Sequence, residues 1–196
     1  MPLMKLLPAG AALLCCLVVA TAAFAGEECW YFPKRGDDEV RDADCLRAAP
    51  STDRSKLQAD ATVSKRVARA LAFDADGLAF VRGATGFSYV NRSRMARATV
   101  NFDNGPDYFS EGLARTRRNG KIGYFDKSLK IVIEPQFDFA FPFEGGLAIV
   151  CNGCVGKRVG EHEIMSGGLW GAVDRNGKIV HPIQFDADEL RKRLAE

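Results

Sequence analysis

The chain has 196 residues, with 27 basic side chains against 25 acidic ones and a net charge of +2. That balance excludes the basic footprint of a nucleic-acid-binding surface, and the length suits one ordinary core. Only two histidines are present, which leaves little room for histidine-based catalysis.

Residues 1–25 read as a secretory signal peptide. Lys5 supplies the positive start, residues 11–20 are an uncharged apolar run, and Ala23-Phe24-Ala25 is a small-x-small cleavage site. The run falls short of the roughly 20 apolar residues of a membrane span, so no stable span is expected after cleavage and the destination is periplasmic or secreted. Four cysteines follow: Cys29, Cys45, Cys151 and Cys154. An even count in an exported chain points to disulfides. Local pairing, Cys29 with Cys45 and Cys151 with Cys154, is the simplest of three connectivities.

Residues 26–72 carry no repeat and are expected to form an N-terminal cap. A short helix over 65–71 is expected, with Ser64 as its N-cap. The segment would cover the open edge of the structure that follows, since open edges invite aggregation.

From residue 73 to 188 the sequence repeats. Gly77-Leu78-Ala79, Gly112-Leu113-Ala114 and Gly146-Leu147-Ala148 lie 35 and 34 residues apart. Such a period marks a stack of similar units, here about 73–108, 109–142 and 143–188. In the second unit a strand pattern from Gly112 reaches Asn119-Gly120, a tight-turn dipeptide. A return strand runs over 121–126, and β-branched Ile131-Val132-Ile133 follows before Pro135. The third unit repeats this around an insertion, 151–168. Gly123 precedes Phe137 by 14 residues, and Gly171 precedes Phe185 by the same number. The first unit is degraded: Gly86 precedes Phe102 by 16 residues, and 91–98 is arginine-rich without an apolar strand. Phe73, Phe109 and Phe143, together with Phe102, Phe137 and Phe185, recur with the motif and read as core. Leu78, Leu113, Leu147 and Trp170 join them. Arg115, Arg117 and Arg118 read as a solvated strand face. A tail, 189–196, is expected to add a helical turn or two.

Gly112-Leu113-Ala114, Asn119-Gly120-Lys121-Ile122-Gly123-Tyr124, Ile131-Val132-Ile133-Glu134-Pro135 and Gln136-Phe137-Asp138 together resemble one unit of the WG-repeat family, also called the KWG repeat. Its Trp-Gly pair stands here once, as Trp170-Gly171; the other units carry Ile122-Gly123 and Thr85-Gly86. The resemblance covers about 73–186. It implies a β-rich bacterial repeat protein, usually of unassigned function, and brings no catalytic residues. The expected fold is mainly β: three tandem hairpin-rich units with a small N-terminal cap containing a short helix.

Chemistry has one place to sit, the insertion. Cys151-Asn152-Gly153-Cys154 fits a structural disulfide, a redox pair, or a zinc site with His162 as third ligand and Glu161, Glu163 or His181 as a further one. Asp126 and Asp174 recur before turns, where turn chemistry explains them. The expectation is a non-catalytic envelope binding or scaffold module without a cofactor, whose partner is a protein or envelope polymer and not nucleic acid. An envelope redox or zinc protein using Cys151 and Cys154 is the alternative.

Overall fold

The structure, a computed structural model, describes residues 26–36, 38–49 and 60–196; the expected signal peptide lies outside them. It is mainly β. The first body contains β1 (Glu27–Tyr31), β2 (Val40–Ala48), β3 (Ala61–Val63), α1 (Lys65–Ala70), β4 (Leu78–Gly83), β5 (Gly86–Asn91) and β6 (Met95–Ala98). These six strands close into an antiparallel barrel in the order β1-β2-β3-β6-β5-β4. The N-terminal segment therefore covers both edges of the first unit by becoming part of its sheet: β1 pairs with β4 and β3 with β6. Closure removes the unpaired edges altogether.

A disulfide joins Cys29 on β1 to Cys45 on β2, and both sulfur-bearing side chains sit in the barrel core beside Tyr31, Val63, Val81 and Val90. Helix α1 starts where Ser64 accepts a hydrogen bond from Val67 N–H, and Val67 plugs the same core. Strand β6 departs from expectation. It forms despite its arginine content because Arg97, fully buried, donates to the Asp60 carboxylate at 2.9 Å and to the Leu129 carbonyl at 3.1 Å. Asp60 also accepts from Ala98 N–H, so one carboxylate satisfies a side chain and a strand.

A two-residue-strand hairpin, β7 (Asn101–Phe102) with β8 (Gly105–Pro106), leads from the barrel to the second unit. That unit is the meander β9 (Leu113–Arg118), β10 (Lys121–Asp126) and β11 (Ile131–Phe137). The third has β12 (Phe139–Ala140), β13 (Leu147–Asn152), β16 (Leu169–Asp174) and β17 (Ile179–Phe185) in one sheet, with the hairpin β14 (Val155–Val159) and β15 (His162–Ser166) inserted between β13 and β16. Helix α2 (Ala187–Leu194) follows, N-capped by Asp186, whose carboxylate accepts from Glu189 N–H.

Turn chemistry sets the period. Glu111-Gly112 and Gly145-Gly146 both have positive φ at both positions, as a tight hairpin of the mirror-image type requires. The Gly112 and Gly146 of the repeated tripeptide are thus turn glycines. Gly77 differs: it sits in a turn closed by Asp74, whose carboxylate accepts from Leu78 N–H. Asp126 and Asp174 close turns of that same kind, each accepting two backbone N–H groups. Successive turns are tied together, because the Glu111 carboxylate accepts from Gly146 N–H and Ser110 Oγ donates to the Phe143 carbonyl.

Apolar layers lie between units. Leu78, Ala114, Phe125 and Leu129 join the barrel to the second unit. Leu113, Ile122, Tyr124, Ile133 and Phe137 meet Phe143, Ala148, Val150 and Val173 of the third. Trp170 and Phe185 meet Leu190 of α2. Among the expected core residues Leu78, Leu113, Phe137, Phe143, Trp170 and Phe185 are buried, while Phe73, Phe109 and Leu147 are half-buried. Phe102 is a correction. It is 46% exposed, because β7–β8 turns it out of the stack. Arg115 is another. It lies buried, its guanidinium and backbone N–H all donating to the Asp107 carboxylate, with a further bond to the Ala140 carbonyl. Breaking such a buried pair by removing one partner costs about 3–5 kcal/mol.

Candidate functional site

The insertion leaves the third sheet where β13 ends and returns where β16 begins. A disulfide between Cys151 and Cys154 spans this exit. Cys151 is in register with both Phe139 on β12 and Trp170 on β16, so the bridge is anchored in an interior strand of the sheet. Gly168 lies so close that a Cβ there would stand 2.3 Å from Cys154 N, and its φ of +69° is one that side chains rarely adopt. Asp138 holds the exit loop from the second unit's end: its carboxylate accepts from Gly153 N–H at 2.8 Å and from Lys121 Nζ. The Gly153 bond, with the Lys121 ammonium behind it, keeps the Asp138 carboxyl below the ordinary aspartate range.

Strands β14 and β15 pair only with each other. A lone two-stranded hairpin is marginal in water, and this one is steadied at its base by the disulfide and by Met165, which packs beside Trp170 and Leu190. Gly156 leaves room for the Glu163 side chain, which occupies the space a Cβ would need. Val155, Val159 and Ile164 remain exposed.

Between this hairpin, the sheet and α2 lies a groove of about 820 Å³. Phe139, Phe141, Ile149 and Trp170 line it from the sheet, Ile164 and Met165 from the hairpin, and Leu190 and Leu194 from the helix. The Phe139 and Phe141 rings meet edge to face with centroids 4.9 Å apart, and both approach Trp170. Trp170 Nε1 donates to the Gly167 carbonyl, which orients the indole. Phe141 is steadied through its backbone, whose carbonyl accepts from the Tyr124 hydroxyl at 2.6 Å; burial pushes that hydroxyl's pKa up. Arg117, Glu163 and Arg191, all exposed, add charge around the apolar lining.

Of the residues singled out for chemistry, only Cys151 and Cys154 come together. Cys151 and Cys154 are bonded to each other, so neither is a thiolate available to a metal. His162 pairs with Val159 at the far end of the hairpin, four strand positions or about 13 Å from the base. His181 sits on β17 opposite Ala172. Among the described residues no group of three or more His, Cys, Asp or Glu is placed to hold a metal ion. The same residues include no helix long and apolar enough to cross a membrane. An apolar trough edged by a few charged groups is the form that ligand sites commonly take. Sequence reasoning did not single out Phe139, Phe141, Leu190 or Leu194. The only signal for the two phenylalanines was their spacing of two, which places Phe139 and Phe141 on one side of an extended segment.

The family model of the WG containing repeat matches residues 122–153 and 170–187. Those two segments carry WG repeats. The match breaks between 153 and 170, so the hairpin stands between the two matched segments. The glycine of the WG pair has a physical cause here. A Cβ on Gly171 would lie 2.6 Å from the His181 carbonyl oxygen, and one on Gly123 would lie 2.3 Å from that of Ile133. Both contacts occur beside register shifts, where the third strand of the unit kinks across the second. No curated protein and no solved structure matches the chain.

Proposed function

We propose that this chain is a non-catalytic exported repeat protein that serves as a binding module in the cell envelope, holding a protein or envelope polymer. Its WG repeats supply the rigid frame, and the groove under β14–β15 takes the partner. The observation that carries this reading is the insertion itself: it stands between two segments that match the WG repeat, is clipped by a disulfide, and roofs an aromatic-lined groove. Loops held on a rigid frame are where recognition concentrates. Export is supported by residues 1–25 and by two disulfides, which persist in oxidising compartments. The reading calls for no cofactor.

The test is a matched pair of captures from envelope extract, one with the full chain and one with 155–166 replaced by Gly-Gly. A component retained by the first and lost by the second, with both proteins folded, supports the module. Identical captures overturn the assignment of the groove. Cell fractionation tests export in parallel, and a cytoplasmic product overturns that part.

A further inference from the structure

The exposed aromatic side chains among the described residues are Phe32, Phe102, Tyr108 and Phe141, each 44–49% exposed. Scattered singly they would need no explanation, but they gather on the two sides of β7–β8. Phe32 lines one groove, of about 600 Å³, with Phe80, Phe87, Asn101, Asp103 and Asn104. Phe102 and Tyr108 line a second, of about 1050 Å³, with Glu144; its far end, at Phe141, Ile149 and Leu194, adjoins the groove beneath β14–β15. The hairpin is the wall between them, since Asn101 faces the first groove and its neighbour Phe102 the second, as alternation along a strand dictates.

Other aromatic rings have their faces covered by guanidinium groups: Trp30 by Arg41 and Arg82, Phe73 by Arg92, Phe185 by Arg193. Phe102 likewise carries one guanidinium, that of Arg115, 5.9 Å from the ring centroid and locked by Asp107, while Tyr108 meets it edge-on at 5.4 Å; unlike Phe73 and Phe185 it stays 46% exposed. A ring fixed before the ligand arrives loses little freedom on binding. The polar groups are fixed as well. Gly86 makes space for the Asn101 amide, whose Oδ1 accepts from Phe87 N–H at 3.2 Å, leaving Nδ2 without an acceptor among the described residues. Asp103 and Asn104 form the hairpin's two-residue turn, both at positive φ. The Asp103 and Glu144 carboxylates have no cationic partner among the described residues, whereas Glu39 is paired with Arg82.

Aromatic faces alternating with planar amides and carboxylates are the complement of a pyranose ring. Its C–H face rests on the electron-rich ring face, and its hydroxyl edge exchanges hydrogen bonds with Asn and Asp side chains. The unpaired carboxylates disfavour a polyanion. We infer that the surface on both sides of β7–β8 binds an uncharged polysaccharide, its sugar rings set on Phe32, Phe102 and Tyr108. The inference rests on the chain being a binding module but not on the groove beneath β14–β15.

The test is calorimetric titration of the protein with three neutral probes, chitohexaose, cellohexaose and laminarihexaose, and with anionic polygalacturonate. At least one neutral probe binds, and both Phe102→Ala and Phe32→Ala weaken it by about ten-fold or more at unchanged melting temperature. Should Phe102→Ala lower the melting temperature, Phe32→Ala decides. The variant with 155–166 replaced by Gly-Gly binds the same probe unchanged, which separates this surface from the hairpin groove. Silence from all three neutral probes overturns the inference. So does preference for polygalacturonate, affinity indifferent to both phenylalanines, or loss of binding with the hairpin alone. An extended proline-rich peptide that binds in place of the sugars, with the same sensitivity to Phe102, assigns the surface to protein and overturns it too.

Discussion

The second and third units put a glycine under the same kinked strand crossing, yet fill the layer beside it differently. Unit two uses Ile122 and Tyr124, and the Tyr124 hydroxyl reaches the Phe141 carbonyl. Unit three uses Trp170 and Ala172 at those registers. Bulk moves from one position of the strand to another while the layer stays filled, which is how close-packed cores tolerate sequence change. The neighbours differ as well: unit two packs against another unit, unit three against α2. Backbone geometry is therefore the fixed part of the repeat, and side-chain identity the adjustable part.

The strongest way to break this comparison is to empty both layers. Phe137→Ala is expected to cost about 4 kcal/mol, and Phe185→Ala about 3, because Phe185 sits in the smaller end layer under Arg193. Urea unfolding of each variant checks it; equal losses would mean that the end layer matters as much as the middle one. Next come the glycines. Gly123→Ala should cost about 3 kcal/mol and Gly171→Ala somewhat less, since the backbone atoms met by the new methyl are closer at Gly123. The same denaturation series reads this, and a silent Gly171→Ala would detach the WG glycine from the strand crossing.

Replacing Cys151 and Cys154 by serine removes a loop-closing bond of sequence separation 3. The expected loss is about 2 kcal/mol, against about 3 for the Cys29–Cys45 bond with separation 16. A larger loss at the short loop would show the hairpin supporting unit three. Tyr124→Phe should cost about 1 kcal/mol through its single hydroxyl bond. The smallest effect is pH-dependent. The folded state holds the Asp138 carboxyl below the ordinary value of 3.8, so the stability it contributes is present above that pH and lost as pH falls through the folded value. The melting temperatures of the protein and of Asp138→Asn should differ at neutral pH and converge in acid; a constant gap would deny the Gly153 contact its role.

Turns were the most legible part of the chain, because Asn119-Gly120, Asp126 and Asp174 carry their geometry in their own side chains. The Ser64 cap was legible for the same reason. Phe102 recurs with the motif as Phe137 and Phe185 do, but its offset of 16 rather than 14 from the preceding glycine is the sign that the intervening backbone differs. Arg97 and Arg115 were unreadable as buried residues, since charge suggests solvent until the partner is placed. Asp60 lies 37 residues before Arg97, and Asp107 lies eight before Arg115 on the far side of a turn. Barrel closure was hidden too, because residues 26–72 share no pattern with the strands they join. The groove depends on α2 folding back over Trp170, which no local spacing announces.

The stack has a polarity. At one end both lateral edges of the first unit are consumed by barrel closure, so no strand can join that sheet without opening a ring of hydrogen bonds. At the other, Phe137-Asp138 hands the chain to a further unit whereas Phe185-Asp186 hands it to a helix, from the same dipeptide. That junction is a splice point. A cassette introduced after Phe137-Asp138 would meet compatible surfaces before and behind it, so such a chain lengthens from within.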